Sequence, residues 1–98
     1  MIYQLRSYVV KPGEMDEWLT EWREKVVPLR LKFGFEIVSA WVIEEEDRFV
    51  WIVGHDGDFA ARDDDYYASP ERENMDPDPA RHLASTETKL MTSVLGGS

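Results

Sequence analysis

The feature that most constrains this chain is a pair of apolar runs, Phe35 to Ile43 and Phe49 to His55, that stay apolar on both of their alternating faces. In the first run, Phe35, Ile37, Ser39, Trp41 and Ile43 alternate with Val38, Ala40 and Val42. In the second, Phe49, Trp51 and Val53 alternate with Val50 and Ile52. Successive side chains of a strand point to opposite faces, so strands of this kind belong to a sheet that is covered on both sides. Between them Glu44-Glu45-Glu46-Asp47-Arg48 is a charged, exposed turn, which makes the pair a hairpin.

The remaining elements follow from periodicity. Ile2 to Val10 is rich in β-branched and aromatic residues and reads as a strand, ended by Lys11-Pro12-Gly13. Met15, Trp18, Leu19, Trp22, Val26, Leu29 and Phe33 then recur at three- and four-residue spacing, the stripe of an amphipathic helix. Glu14, Asp16 and Glu17 crowd its first turn and Arg30 and Lys32 its last, as the helix dipole favours, and Gly34 is placed to cap it. Pro28 lacks a backbone donor and should kink or restart this helix. Asp58 caps a second helix through about Tyr67, and Ser69-Pro70 and Asp78-Pro79 each start a short helical turn. Glu87 to Leu95 reads as the last strand.

Strand, helix, strand, strand, helix, strand with right-handed crossovers gives an α+β chain of the ferredoxin-like β-α-β-β-α-β type. Its four-stranded antiparallel sheet carries both helices on one face. The other apolar face, with its tryptophans, needs a second cover, and a two-fold homodimer is the expected one.

Ninety-eight residues suit one domain, 1–98, with an ordered core of about 2–95 and a Gly96-Gly97-Ser98 tail. There is no cysteine, hence no disulfide framework and no thiol nucleophile. The net charge of −9 argues against nucleic acid or an anionic membrane as partner. Between Asp56 and Pro79, nine acidic residues face only Arg62 and Arg72, so most of that charge sits on one solvated flank. Asp63, Asp64 and Asp65 lack the spacing of a calcium loop, and no phosphate-binding glycine loop or dinucleotide fingerprint is present. No metal and no cofactor is therefore expected. Without an apolar span or a leader pattern, the expected location is cytoplasmic.

Tyr3-Gln4-Leu5-Arg6-Ser7-Tyr8 followed by Lys11-Pro12-Gly13 resembles the opening of the NIPSNAP family. Pro28-Leu29-Arg30 leading to Gly34-Phe35, then Trp41, continues the likeness. Tyr66-Tyr67-Ala68-Ser69-Pro70-Glu71-Arg72 with Asp76-Pro77-Asp78-Pro79 is similar to its short bacterial members in particular. The resemblance runs from Ile2 to Leu95 and implies a dimeric α+β barrel in which two sheets pack face to face. It implies no particular reaction. Related barrel superfamilies hold cofactor-free monooxygenases of aromatic polyketides, haem-dependent enzymes and small isomerases or cyclases, and fold alone does not choose among them.

Candidate site residues are polar or aromatic groups on apolar surfaces. Gln4, Arg6 and Tyr8 share a strand face. Arg6 in mid-strand needs a counter-charge, supplied either by a carboxylate such as Glu87 or by an anionic ligand. Tyr8 is read either as a donor to a ligand carbonyl or as a rim residue with its hydroxyl in water. His55, at the end of a strand after Gly54, is the obvious acid–base group near neutral pH, or else a satisfied edge histidine. His82 is placed at the surface. Trp41 and Trp51 are placed on paired strands as one aromatic wall, or as core. Tyr66 and Tyr67 lie on a segment that either covers an opening or packs on the sheet.

Two functions remain. One is an enzyme without a cofactor, of oxygenase or cyclase type, with His55, Tyr8 and Arg6 catalytic and an apolar or aromatic small molecule held by Trp41, Trp51, Gln4, Tyr66 and Tyr67. The other is a dimeric binding or interaction module without chemistry, in which the polar groups pair among themselves.

Overall fold

The computed structural model describes residues 1–95, and the Gly96-Gly97-Ser98 tail lies outside the described residues. In chain order it contains β1 (Ile2–Val10), α1 (Met15–Glu21), a π-helical turn (Trp22–Val26) and α2 (Val27–Lys32). Then come β2 (Glu36–Ile43), a 3-10 turn (Glu44–Glu46), β3 (Arg48–His55), α3 (Phe59–Ala68), α4 (Pro70–Glu73), a second 3-10 turn (Pro79–His82) and β4 (Leu83–Met91). The sheet is antiparallel in the order β2-β3-β1-β4, the ferredoxin-like arrangement. Among the described residues no helix is long and apolar enough to cross a membrane.

Pro28 does restart its helix, and the chain absorbs it upstream. The Val27 N–H reaches back to the Trp22 carbonyl in a wide turn, and Pro28 then sits in the first turn of α2, where a missing donor costs little. The stripe therefore runs through the proline and delivers Trp18, Trp22, Val26 and Leu29 to the sheet.

Register decides the faces. Gln4 pairs with Val53, Arg6 with Trp51 and Tyr8 with Phe49, and all six are buried under the helices. On β2 a bulge between Ile37 and Ser39 shifts the register, so Ile37 opposes Val53 but Ala40, not Trp41, opposes Trp51. One extra residue sends every following side chain to the other face. This corrects the single aromatic wall expected of Trp41 and Trp51: Trp51 is 1% exposed in the core, whereas Trp41 opposes Val50 and is 49% exposed.

The last strand also differs from expectation, starting at Leu83 rather than Glu87. It is an edge strand exposed along most of its length, so it needs no apolar alternation and gave no such signal. The face away from the helices carries Tyr3, Leu5, Val9, Val50 and Ile52, all half-buried, beside the exposed Val38 and Trp41.

The core is an aromatic lattice under the helices. Phe49 meets Trp18, Trp22 and Tyr8 at centroid distances of 5.5, 5.0 and 6.4 Å, and Trp22 meets Trp51 edge-on at 5.5 Å. Such pairs add about 0.5–1.5 kcal/mol each beyond area burial. Phe49→Ala should therefore cost about 3–5 kcal/mol in urea unfolding. A loss below about 1 kcal/mol would show that this junction does not hold the helices to the sheet.

Candidate functional site

β1 turns its even residues toward the helices, which buries Gln4, Arg6 and Tyr8 in one row. Arg6 is 6% exposed. Its Nε donates to Tyr8 Oη at 2.6 Å, Nη1 donates to Gln4 Oε1, and Nη2 donates to Tyr67 Oη at 2.6 Å. All three acceptors are neutral groups. Glu87 opposes Ser7 and points to the other face, while Arg6 opposes Thr88, so the ion pair with Glu87 does not form. Among the described residues no carboxylate pairs with Arg6.

A second guanidinium enters from the helix layer. Arg30 of α2 is 1% exposed and lies 3.9 Å over the Tyr66 ring and 4.7 Å over Phe35. Its Nη1 pairs with Asp63 at 2.7 Å and its Nη2 donates to Tyr67 Oη at 3.3 Å. The Tyr67 hydroxyl thus receives donors from both arginines. Sequence reasoning took Arg30 for a dipole-complementing residue at a helix end. The signal it passed over is that Arg30 falls four residues after Val26, inside the apolar stripe. Asp63 likewise leaves the solvated aspartate run to become the counter-charge of Arg30, while Asp64 stays exposed and Asp65 reaches Arg62 at 3.5 Å.

Between these groups lies a cavity of about 150 Å³, with Arg6, Tyr8, Trp18, Trp51, Tyr67 and Thr86 on its walls. Arg30 and Arg72 also line it, and Arg72 pairs with Asp78 at 3.3 Å. Arg6 is then the cavity's one guanidinium without a carboxylate among the described residues. Trp18 Nε1, Trp51 Nε1 and Arg30 Nε are buried on lining residues and have no hydrogen-bond acceptor. The Trp51 N–H sits close enough to Tyr8 to favour its phenolate, but without the geometry of a hydrogen bond. An orphaned buried donor costs about 1–3 kcal/mol, and Trp22 Nε1, on a residue that does not line the cavity, is a fourth.

Burial pushes the Tyr8 phenol above its usual range, and the pull of Arg6 offsets this only in part. Burial also works against charge on Arg6, but Tyr8, Tyr67 and Asp63 together raise its affinity for its proton. At neutral pH the wall therefore holds a fixed positive charge beside a neutral phenol. The described lining residues include no histidine, aspartate or glutamate. This arrangement can stabilise negative charge on a ligand oxygen and donate hydrogen bonds to it. It offers no group to abstract a proton.

Of the residues expected at a site, the structure brings together Arg6, Gln4, Tyr8, Trp51, Tyr66 and Tyr67. It does not bring in His55 or Trp41. His55 pairs with Ile2 at the far end of β1, its Nδ1 lies 3.2 Å from the Gly34 carbonyl oxygen, and its ring packs 5.3 Å from Phe35. Trp41 follows the bulge to the outer face. Tyr66 is buried on the sheet and Tyr67 lies half in water above the cavity, so α3 both packs and covers.

His82, expected at the surface, is 2% exposed. Its Nδ1 lies 2.7 Å from Glu14 and its Nε2 lies 3.2 Å from Glu21 and 3.8 Å from Glu17. Arg81 holds Glu21 with two 2.7 Å bonds. Glu17, Glu21 and His82 each place a ligand atom within 4.8 Å of the others, the only such group among the described residues that could hold a metal. As it stands, both ring nitrogens meet carboxylates, so the imidazolium ties the start of β4 to α1. Burial opposes that charge, but the bonds to Glu14 and Glu21 outweigh it and raise the pKa. The stabilisation is complete below about pH 6.5, the unfolded value, and is lost as pH rises through the raised folded value. Glu21 is held at about 2, first by Arg81 and then by His82, so its contribution is lost as pH falls from about 4.5 through about 2. Urea midpoints measured across pH should fall on the alkaline side, and His82→Gln should flatten that limb. An unchanged limb would mean the imidazolium carries no stability.

Comparison with known proteins agrees with the fold. The NIPSNAP family model matches residues 3–93. No curated protein matches the chain. An uncharacterised NIPSNAP domain protein from Burkholderia xenovorans superposes with a TM-score of 0.84 at 16% identity, covering 100% of both chains. A NIPSNAP family protein from Agrobacterium tumefaciens gives 0.81 at 19% identity, covering 93% of this chain and 90% of its own. A protein described as an antibiotic biosynthesis monooxygenase gives 0.70 at 22% identity, covering 96% of this chain and 99% of its own. At such identities the superpositions show a shared fold. With the family model spanning nearly every described residue of the sheet and its helices, this chain belongs to the NIPSNAP family.

Proposed function

We propose that the protein is a homodimer joined through its outer sheet faces, and that each protomer binds one flat aromatic molecule in the cavity above Arg6. The observation that carries the ligand reading is that cavity: about 150 Å³, walled by Tyr8, Trp18, Trp51 and Tyr67, with a buried guanidinium at its floor. A cavity of this volume accepts a single benzene-sized ring. Aromatic walls with a few convergent polar groups are the usual character of small-molecule sites.

The assembly rests on the outer face. Leu5, Val9, Val50, Ile52 and Trp41 form an apolar strip that the protomer's own helices do not reach. A monomer rarely keeps such a strip in water, and an isologous contact covers both copies at once.

The chemistry that suits the cavity is stabilisation of a ligand oxyanion by Arg6 and Tyr8, as cyclisation or cofactor-independent oxygenation of an aromatic substrate would require. One structural neighbour is described as a monooxygenase, and its likeness extends to the fold. A second reading, binding without turnover, is favoured by one observation: the described lining residues supply no general base.

Native mass spectrometry should give twice the protomer mass, and Val50→Asp should give monomer. A monomeric wild type would sink the assembly. Thr86 lines the cavity from the exposed edge strand, so Thr86→Trp should fill it without unfolding the chain. Ring-sized aromatic probes should shift the Trp18 and Trp51 indole N–H signals in the wild type and leave them still in that variant. Shifts that persist there would place binding elsewhere.

A further inference from the structure

The cavity is one-sided in its hydrogen bonding. The buried polar atoms of its lining residues that lack a partner are all donors: Trp18 Nε1, Trp51 Nε1 and Arg30 Nε. Arg6 uses three of its five N–H groups, on Tyr8, Gln4 and Tyr67. The Tyr8 and Tyr67 hydroxyls accept from Arg6 and keep their own protons, for which no acceptor is present among the described residues. Gln4 Oε1 is already engaged by Arg6, and the Thr86 hydroxyl, on the exposed edge strand, is a lining group that can still accept.

Charge points the same way. Asp63 answers Arg30 and Asp78 answers Arg72, which leaves Arg6, 6% exposed, without a directly paired carboxylate among the described residues. A buried charge without a partner is costly, and a group that supplies both negative charge and acceptor atoms removes both costs.

Resting on the reading of this cavity as an aromatic ligand site, we propose that its ligand is a ring-sized aromatic monocarboxylate, with the ring between Trp18 and Trp51 and the carboxylate on Arg6. A carboxylate is acceptor-only, with two oxygens and about four lone-pair sites, and so answers the surplus of donors. A neutral amide of the same shape brings two further donors into a site already short of acceptors. The acidic segment 56–79 borders the cavity, but the two of its carboxylates that bond to lining residues are already paired, Asp63 with Arg30 and Asp78 with Arg72.

The test is titration of the purified wild-type protein with benzoate, benzamide and inorganic phosphate, read at the four tryptophan indole N–H signals. Benzoate should move Trp18 and Trp51 while leaving the outer-face Trp41 still, and should bind about 10- to 100-fold more tightly than benzamide, the range of a charge-assisted bond. Phosphate should not compete at equal concentration. Arg6→Gln should remove the preference for benzoate. Tyr67→Phe, at a half-exposed position that keeps the ring, should weaken benzoate selectively and serves if the arginine variant does not fold. Equal affinity for benzoate and benzamide overturns the carboxylate and leaves the aromatic site standing. Competition by phosphate overturns the ring requirement. Failure of both aromatic probes overturns the site itself, and with it this inference.

Discussion

The interior depends on how two buried guanidiniums are held. Arg6 rises from the sheet and Arg30 descends from the helix layer, and the Tyr67 hydroxyl joins them at 2.6 and 3.3 Å. Trp51 lies against both, 5.6 Å from Arg6 and 5.8 Å from Arg30 at its ring centroid. Two like charges at such depth repel and lose hydration, so each needs compensation. Arg30 has a carboxylate and four aromatic rings within 6 Å. Arg6 has hydrogen bonds to neutral oxygens and three aromatic rings within 6 Å. Cation–π contacts of this kind contribute most where water is excluded, which explains how the floor of the cavity persists with a charge left over. The cavity is the space that this arrangement cannot close.

The same residues tie the layers together. Asp63 and Tyr67 stand on α3, Arg30 on α2 and Arg6 on β1, so one polar cluster fixes the angle between both helical segments and the sheet. A half-satisfied polar network usually weakens a core. Here three of the four buried donors without a partner, Trp18 Nε1, Trp51 Nε1 and Arg30 Nε, belong to residues that line the cavity, and the fourth, Trp22 Nε1, does not. His82, beside the lining residue Leu83, has both ring nitrogens on carboxylates, Glu14 and Glu21, and so ties the start of β4 to α1.

The fold is shared with a protein of 16% identity, so the sheet order and helix placement tolerate extensive sequence change. The fold alone hosts several chemistries and does not choose among them.

Strand and helix order, the caps at Asp58, Ser69 and Asp78, and the restart at Pro28 were determined by the sequence itself, because each follows from local backbone chemistry or a repeat along one element. The row of Gln4, Arg6 and Tyr8 was legible for the same reason: alternation within an unbulged strand is a local property. Tertiary structure alone decided the rest. The bulge in β2 moved Trp41 away from Trp51, the exposed edge strand β4 hid its start, and His55 was left at the end of the sheet away from the cavity. It also decided that Arg30 and Asp63 are partners although 33 residues separate them. Whether a charge is solvated or buried depends on which elements meet over it, and periodicity along the chain carries no record of that meeting.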